Sequence, residues 1–352
     1  MNLYPMKFLP RLIRKMWGGQ KLAELFNKPL PAGRPIGESW ELFDFPPGTT
    51  GPDAIQPTDD PNGWISATVC NGPLAGKTLH QVLESHRAEL LGASQAVETP
   101  RGAQFPLLIK FLDAREDLSV QVHPSLEYAA AHPEAHLKNE AWHILHAEPG
   151  ARLLLGLRPG VTRQRFEHAL ADGTAESLMN RVPVTPGETY YMPSGTVHAL
   201  GAGIVAYEVQ TPSDTTFRVF DFNRIDPATG RPRSLHVREA LQCIQFGLDP
   251  PSHRTAPAEG NLLLARAPQW VLVQHDLPAG ALRRLLHPGG PVVATCVRGV
   301  GVASSGGHAE TFGRGETLLL PPSSETRLLA KENSRLLLAA VPPVDETQLL
   351  PR

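Results

Sequence analysis

The sequence has few cysteines and almost no net charge, and each shortage excludes a class of protein. Its three cysteines, Cys70, Cys243 and Cys296, lie far apart, and none forms a Cys-x-x-Cys pair. Neither a disulfide framework nor a cysteine-based zinc knuckle is therefore expected, and a cytoplasmic location fits best. A formal net charge of -2 argues against a nucleic-acid partner, because phosphate backbones call for a basic surface.

Long apolar runs are also missing. Lys7, Arg11 and Lys15 interrupt the apolar residues near the N-terminus, so we predict neither a targeting segment nor a membrane span. Turn-forming residues are plentiful, with 31 glycines and 35 prolines, and this favours many short strands. Because single cores rarely grow beyond about 250 to 300 residues, the 352-residue chain is expected to form two lobes.

A short motif with fixed spacing lies near the middle of the chain. Gly187 is followed at set intervals by Pro193, Gly195 and His198. The apolar residues 190–192 suit a strand, and the proline and glycine force a reversal. The motif therefore predicts strand, tight turn and strand, with His198 just beyond the turn.

Further upstream are three other side chains that could bind a metal. Gln121 and His123 lie two apart on a predicted strand over residues 119–123, so they project to the same side. With Glu140 and His198 they offer nitrogen and oxygen donors and no thiolate. Such a set suits zinc with an open coordination position, although manganese, cobalt or iron also fit the ligand types.

Charged side chains accompany this donor set. Lys110 shares one face of a predicted strand, residues 107–112, with leucines, and a buried ammonium is costly without a counter-charge. Lys138 precedes Glu140 by two residues and is expected to point into the same pocket. Arg218 offers a planar fork for phosphate or an oxyanion, and Asp214 either orients it or handles a proton. The alternatives are a snorkelling lysine at position 110 and a surface ion pair of Asp214 with Arg218.

An internal repeat supports two related lobes. Residues 186–193 are echoed 128 positions later by residues 314–321, but Ser323 and Thr326 replace the glycine and histidine of the motif. We therefore predict one metal, in the first lobe only. Helices are predicted by their periodicity and capping residues over residues 78–92, 125–131, 163–170, 175–179 and 235–246.

The motif around His198 has the spacing of the second motif of the cupin superfamily. Together with the other segments it resembles the class I mannose-6-phosphate isomerases in their short bacterial form. The resembling segments are 17–22, 36–41, 105–112, 118–124, 138–140, 187–198, 207–210 and 213–221. The resemblance implies a mainly β fold with two cupin-like antiparallel β-barrel (jelly-roll) lobes and a few short helices. Residues 1–248 would form the catalytic lobe and residues 249–352 a degenerate lobe without metal.

The resemblance also implies a reaction, namely interconversion of mannose 6-phosphate and fructose 6-phosphate through a metal-stabilised enediol. The implied ligands of one Zn²⁺ per chain are Gln121, His123, Glu140 and His198. The implied catalytic residues are Lys138 for proton transfer, Asp214 assisting it, Arg218 as electrostatic stabiliser, and Lys110. The only expected partner is a hexose 6-phosphate, without nucleic acid or membrane. A monomer is expected, with a homodimer as the alternative.

One position departs from the pattern, because Leu137 stands where longer relatives have a histidine, so a mechanism relying on that histidine does not apply here. Two other functions remain open at this point. One is an iron-dependent cupin dioxygenase, since one fold hosts many chemistries. The other is a non-catalytic protein that binds the sugar phosphate.

Overall fold

Antiparallel β-structure dominates the computed structural model, which describes residues 2–47, 62–226, 229–247, 254–286, 289–323 and 325–350. Four larger sheets and three two-stranded pairs account for it. The short pairs are Asp44–Phe45 with Ile65–Ser66, Val97–Thr99 with Gly102–Gln104, and Ile225–Asp226 with Arg231–Pro232. The prediction of a mainly β protein is confirmed.

The first half of the chain builds two of the larger sheets. The strand order in the seven-stranded sheet is Arg254–Thr255, Thr189–Met192, Glu140–Ala147, Ile204–Gln210, Leu108–Ala114, Arg11–Gly19 and Ile36–Leu42. The order in the five-stranded sheet is Met179–Pro183, Arg152–Leu157, His198–Leu200, Val120–Val122 and Phe217–Phe220. The two sheets share one buried apolar cluster, in which Leu112 and Trp142 of the larger sheet accompany Leu153 and Leu200 of the smaller one.

The second half repeats this arrangement. The strand order in its six-stranded sheet is Met6–Lys7, Thr317–Leu320, Val292–Arg298, Ser334–Ala340, Trp270–Leu277 and Leu262–Ala267. The order in its four-stranded sheet is Leu282–Leu285, Thr326–Ala330, Val300–Ser305 and His308–Gly313. Val273 and Val292 lie in one buried cluster with Phe312 and Leu328 of the facing sheet. The repeated segment thus forms a strand in each half, Thr189–Met192 and Thr317–Leu320, and each is followed by a second strand. That second strand begins with His198 in the first half and with Thr326 in the second.

The sheets of each half do not close into a barrel within the described part of the chain. Among the described residues no strand ladder joins the seven-stranded to the five-stranded sheet, or the six-stranded to the four-stranded sheet. Each half is therefore a pair of packed sheets, and the prediction of two β-barrels is not confirmed. Two sheets bury their apolar side chains by packing face to face, and this packing does not require their edge strands to pair through hydrogen bonds.

The two halves are joined by shared strands and a shared core. The N-terminal strand Met6–Lys7 pairs with Leu318 and Leu319 of the six-stranded sheet. Conversely, Arg254–Thr255 extends the seven-stranded sheet beside Thr189 and Tyr190. One apolar cluster contains buried residues from both halves. The lobe boundary at residues 248 and 249 stays a prediction, since residues 248–253 lie outside the described part of the chain.

Helices are few and short. They span Lys21–Phe26, Leu79–Ser85, Arg87–Leu91, Leu126–Ala131, Arg163–Ala171, Val237–Cys243 and Glu346–Leu349, with 3₁₀ turns at Gly72–Leu74 and Ala175–Leu178. The predicted helix after Thr78 begins with the expected capping box, but His86 divides it in two. The predicted helix 235–246 is shorter at both ends, and Ser234 does not cap it. No helix in the described ranges is both long and apolar enough to cross a membrane.

Candidate metal centre

The two sheets of the first half carry polar side chains into the space between them. In the five-stranded sheet, Gln121 lies directly opposite both His198 and Arg218 on the neighbouring strands. Residues opposite one another on antiparallel strands point to the same face. In the seven-stranded sheet, Glu140 begins its strand opposite Met192. The predicted strand through Gln121 is observed as Val120–Val122, whereas the strand that carries Glu140 begins only at that residue, after Lys138.

Three side chains of the predicted ligand set converge closely. Single donor atoms of His123, Glu140 and His198 all lie within 4.8 Å of one another. His198 Nε2 is 2.9 Å from Glu140 Oε1, and His123 Nε2 is 3.3 Å from Glu140 Oε2. The fourth residue, Gln121, places its Nε2 3.4 Å from His198 Nε2, and a half-turn of its amide puts the oxygen there instead. The structure therefore brings all four together.

The hydrogen bonds of the two histidines fix which ring nitrogen faces the cluster. His123 Nδ1 lies 3.2 Å from the carbonyl oxygen of Thr215, and His198 Nδ1 lies 2.9 Å from that of Thr196. A carbonyl oxygen only accepts, so each Nδ1 carries the proton and donates. As neutral imidazoles, both rings would therefore present the lone pair of Nε2 to the cluster, as metal-binding histidines require.

Three of the donor atoms are buried without a well-formed hydrogen bond, although Lys138 and the two histidines lie within ion-pair distance of Glu140. His123, Glu140 and His198 are each no more than 1% exposed. Within the described residues, His123 Nε2 and both carboxylate oxygens of Glu140 have no hydrogen-bond partner of normal geometry. Buried polar atoms are normally satisfied, and each exception calls for an explanation. A cation bound by these atoms would satisfy them all, so the residues fit a metal ion.

The protonation states of the cluster suit a metal as well. Burial and the nearby Lys138 ammonium lower the pKa of His123 to about 3, which keeps its imidazole neutral. For Glu140, burial alone would raise the pKa, but the Lys138 ammonium holds it well below its usual range. Neutral imidazole and ionised carboxylate are the forms that coordinate cations.

Of the four predicted ligands, Gln121 also lines a neighbouring pocket that carries both signs of charge. The residues lining it are Ile13, Lys15, Trp17, Glu38, Trp40, Lys110, Leu112, Leu118, Ser119, Gln121, Lys138, Trp142, Glu208, Asp214, Thr216, Arg218 and Arg233. All four residues predicted as catalytic are among them. Lys138 is closest to the ligands, with Nζ 2.9 Å from Glu140 Oε2.

Lys110 has the counter-charges that its buried position requires. Its Nζ lies 3.4 Å from Glu208 and 3.7 Å from Glu38, and 5.1 Å from the ring centre of Trp40. Burial would lower its pKa, but Glu208 and Glu38 raise it above the usual value. The ammonium is therefore charged and buried, which rules out the snorkelling interpretation.

Arg218 and Asp214 lie at the same pocket. The Arg218 side chain is buried and donates to Ser119 Oγ at 3.2 Å and to the carbonyl oxygen of Ser234 at 3.0 Å. Asp214 Oδ2 is buried and makes no hydrogen bond within the described part of the chain. These positions rule out the interpretation as an exposed surface pair.

Sequence reasoning missed several pocket residues. Ile13, Lys15 and Trp17 alternate along one strand and all line the pocket, a period of two that the sequence displays. Lys15 lies 3.3 Å from Glu38. No such alternation in the sequence predicts Arg233, because this residue follows a surface hairpin whose residues show no regular period.

Comparison with known proteins agrees with this geometry. Residues 60–149 match the family described as "Phosphomannose isomerase type I, catalytic domain". The curated protein "Mannose-6-phosphate isomerase ManA" of Bacillus subtilis is 33% identical over 326 residues, which cover 91% of this chain and 94% of that protein.

Solved structures point the same way. The crystal structure of mannose 6-phosphate isomerase from Bacillus subtilis superposes with a TM-score of 0.76 at 27% identity, covering 96% of this chain and 99% of that one. A zinc-bound mannose 6-phosphate isomerase has a TM-score of 0.69 at 17% identity, with 96% and 99% coverage. At that identity the second likeness concerns the fold alone.

Proposed function

The chain belongs to the type I mannose-6-phosphate isomerase family, and from this membership and the site we propose that it interconverts mannose 6-phosphate and fructose 6-phosphate. The observation that carries the proposal is the buried convergence of His123, Glu140 and His198 beside Lys138. The two alternatives, a dioxygenase and a non-catalytic binding protein, lose their support because the relatives are named as isomerases.

We propose one Zn²⁺ per chain as the cofactor. Gln121, His123, Glu140 and His198 would hold it through one amide oxygen, two imidazole nitrogens and a carboxylate. A zinc-bound relative with this fold supports zinc over other cations of similar ligand preference. When bound, the ion supplies positive charge that stabilises a developing oxyanion on the sugar.

The chain's own residues then have separate roles. Lys138 and Asp214 move the proton between C2 and C1 of the open-chain sugar, since both line the pocket and one Asp214 oxygen has no competing hydrogen bond. Arg218 stabilises negative charge on the enediol oxygens, with its guanidinium held in place by Ser119 and Ser234. Lys110, anchored by Glu38 and Glu208, provides a fixed positive charge in the pocket wall.

The phosphate of the substrate needs a cationic surface of its own. Arg233 lines the pocket, and two of its nitrogens donate to Asp221 at 2.9 and 2.6 Å. Asp221 is shared with Arg224, so one carboxylate serves two guanidinium groups and the trio keeps a net positive charge. We propose that Arg233 faces the phosphate dianion, because a pre-oriented guanidinium is well suited to phosphate.

The proposal extends to the cellular compartment and the oligomeric state. None of the three cysteines is paired, which suits a reducing cytoplasm. A monomer remains our expectation.

A direct experiment combines metal analysis with turnover. Fructose 6-phosphate formation from mannose 6-phosphate is followed before chelation, after chelation and after Zn²⁺ is restored. We expect loss and recovery of activity, with one zinc per chain by elemental analysis. His198→Ala should bind no zinc, whereas His168→Ala, which removes an exposed helical histidine, should behave as wild type. Full activity in a chain shown to be metal-free would overturn the proposal.

A further inference from the structure

Asn139 stands between the proposed proton-transfer residue and a proposed metal ligand, and it is unusually well bonded. It is 6% exposed. Its backbone N–H donates to Thr211 Oγ1 at 3.2 Å, and its carbonyl oxygen accepts from the Thr211 N–H at 3.1 Å. Its side-chain oxygen accepts from the backbone N–H of Ser194 at 2.9 Å. The bond from Ser194 ties residue 139 to the turn that leads into His198, and the two bonds with Thr211 tie it to the end of the strand Ile204–Gln210.

Two further bonds of Asn139 come from the second half of the chain. Its Nδ2 donates to Gln269 Oε1 at 2.9 Å, and its carbonyl oxygen accepts from Trp270 Nε1 at 3.4 Å. Gln269 lies in the tight turn between the strands Leu262–Ala267 and Trp270–Leu277, where Ala267 pairs with Trp270. The tip of this hairpin therefore touches the segment that carries Lys138 and Glu140.

The hairpin tip is itself held firmly. Trp270 is fully buried, and its ring meets that of Tyr191 edge-on, with centroids 5.6 Å apart. Tyr191 lies opposite Ala141 on the strand that begins with Glu140. Trp270 thus packs against the strand Thr189–Met192, and its indole N–H donates to Asn139, which directly precedes the strand Glu140–Ala147. Because the ring is large and fully buried, it has little freedom to shift.

From these contacts we propose that Gln269 and Trp270 form a positioning element that sets the orientation of Lys138 and Glu140. Lys138 and Glu140 flank a single residue whose two peptide groups determine where both side chains point, and Asn139 is bonded on its backbone and its side chain. Groups that orient metal ligands without touching the metal influence affinity strongly, and small displacements of reacting groups are costly. The second half of the chain would thereby act in the site without lining it.

The test compares variants that keep or remove the bonding atoms. Gln269→Leu removes the acceptor, and Trp270→Phe removes the indole N–H while keeping a ring against Tyr191. Gln269→Glu retains an acceptor oxygen and serves as the rescue variant. Gln274→Leu is the matched control, because Gln274 is a buried residue of the same hairpin that bonds Ala258 and Gly260 rather than Asn139.

The measurements are the affinity of the full chain for Zn²⁺ alone, by competition with a chromophoric chelator, the values of kcat and KM, and the Tm without metal. We expect Gln269→Leu and Trp270→Phe to lower zinc affinity about tenfold to a hundredfold and to lower kcat more than they raise KM. Gln269→Glu and Gln274→Leu should keep zinc affinity near the wild-type value. A purely structural role would lower Tm in all variants and leave zinc affinity unchanged.

Two outcomes would overturn the inference. One is wild-type zinc affinity and kcat in both Gln269→Leu and Trp270→Phe, and the other is an equal loss in Gln269→Glu. The kinetic measurements rest on the proposed isomerase function, but the zinc measurements do not. If the wild-type chain binds zinc and forms no fructose 6-phosphate, the proposed function fails, and zinc affinity alone decides the positioning role.

Discussion

The ammonium of Lys138 lies 2.9 Å from Oε2 of Glu140, two residues further along the chain. Both side chains are buried, so the pair lies in a medium where charges interact strongly. The proximity couples the proposed proton-transfer group to the proposed metal ligand, and we expect substitution to separate their two functions.

Lys138→Met is expected to retain zinc and lose turnover. Removing the ammonium leaves the Glu140 carboxylate in place for the metal, while proton transfer by a positioned side chain typically contributes about 10² to 10⁴ in rate. We therefore expect kcat to fall by about that factor with zinc content unchanged. The control Lys331→Met alters an exposed lysine in a turn and should change neither. A Lys138→Met enzyme with normal kcat would exclude this residue from proton transfer.

Arg233→Gln is expected to raise KM for mannose 6-phosphate. A charge-assisted hydrogen bond contributes about 1.5 to 3 kcal/mol, which corresponds to a KM increase of about tenfold or more. Inhibition by inorganic phosphate should weaken in parallel, while kcat changes less. The matched control is Arg224→Gln, because Arg224 shares Asp221 but does not line the pocket. Equal effects in the two variants would indicate that Arg233 only supports Asp221.

Glu38 is expected to make the free energy of unfolding depend on pH in the acid range. Burial would raise its pKa, but Lys15, Lys110 and the indole of Trp40 lower it to about 2. Because the folded pKa lies below the unfolded one, the stabilisation is complete above about pH 4.5 and is lost as the pH falls toward 2. The contribution of Glu38 to the free energy of unfolding is on the order of 3 kcal/mol at neutral pH.

Urea unfolding at pH 7 and at lower pH values checks this, with Glu38→Gln as the variant. The variant should be less stable at pH 7 and should lose less stability on acidification. Glu325 provides a contrast, since Arg284 and Arg327 also lower its pKa to about 2, but at the surface. Solvent screens that cluster, so Glu325→Gln should change stability much less. The same acid profile in wild type and Glu38→Gln would contradict the assignment.

Lys28→Met is expected to destabilise the fold by about 3 to 5 kcal/mol, the usual cost of leaving one buried charge without its partner. Lys28 Nζ lies 2.7 Å from Glu41 Oε2 and donates to the carbonyl oxygen of Gly315 at 2.6 Å. Both charged residues are buried. The urea midpoint measures the change. The double variant Lys28→Met/Glu41→Leu removes both charges and should recover much of the loss, and a double variant no better than the single one would argue against the ion pair.

The motif residues were the most predictable part of the site. Spacing alone placed His198 after a turn, and the period of two placed Gln121 and His123 together, because strand geometry fixes where alternate side chains point. Lys110 was predictable for a different reason, since a charge among leucines demands counter-charges. Both of its partners, Glu38 and Glu208, come from other strands.

Other features depended on contacts that no local pattern contains. The pairing of Arg233 with Asp221 depends on how a hairpin folds back, and the bonds from Gln269 and Trp270 to Asn139 join residues 130 and 131 positions apart. Barrel closure was likewise beyond a sequence argument, because alternation specifies which face of a strand is buried and says nothing of whether edge strands meet. Helix ends were also misjudged, as at His86, where the backbone leaves the helical conformation and divides the predicted helix.

The strand Met6–Lys7 has a consequence for the order of folding. Its partners, Leu318 and Leu319, leave the ribosome more than 300 residues later. The first strand must therefore wait for these partners until more than 300 further residues have been synthesised, and only then can the nascent chain complete this sheet edge.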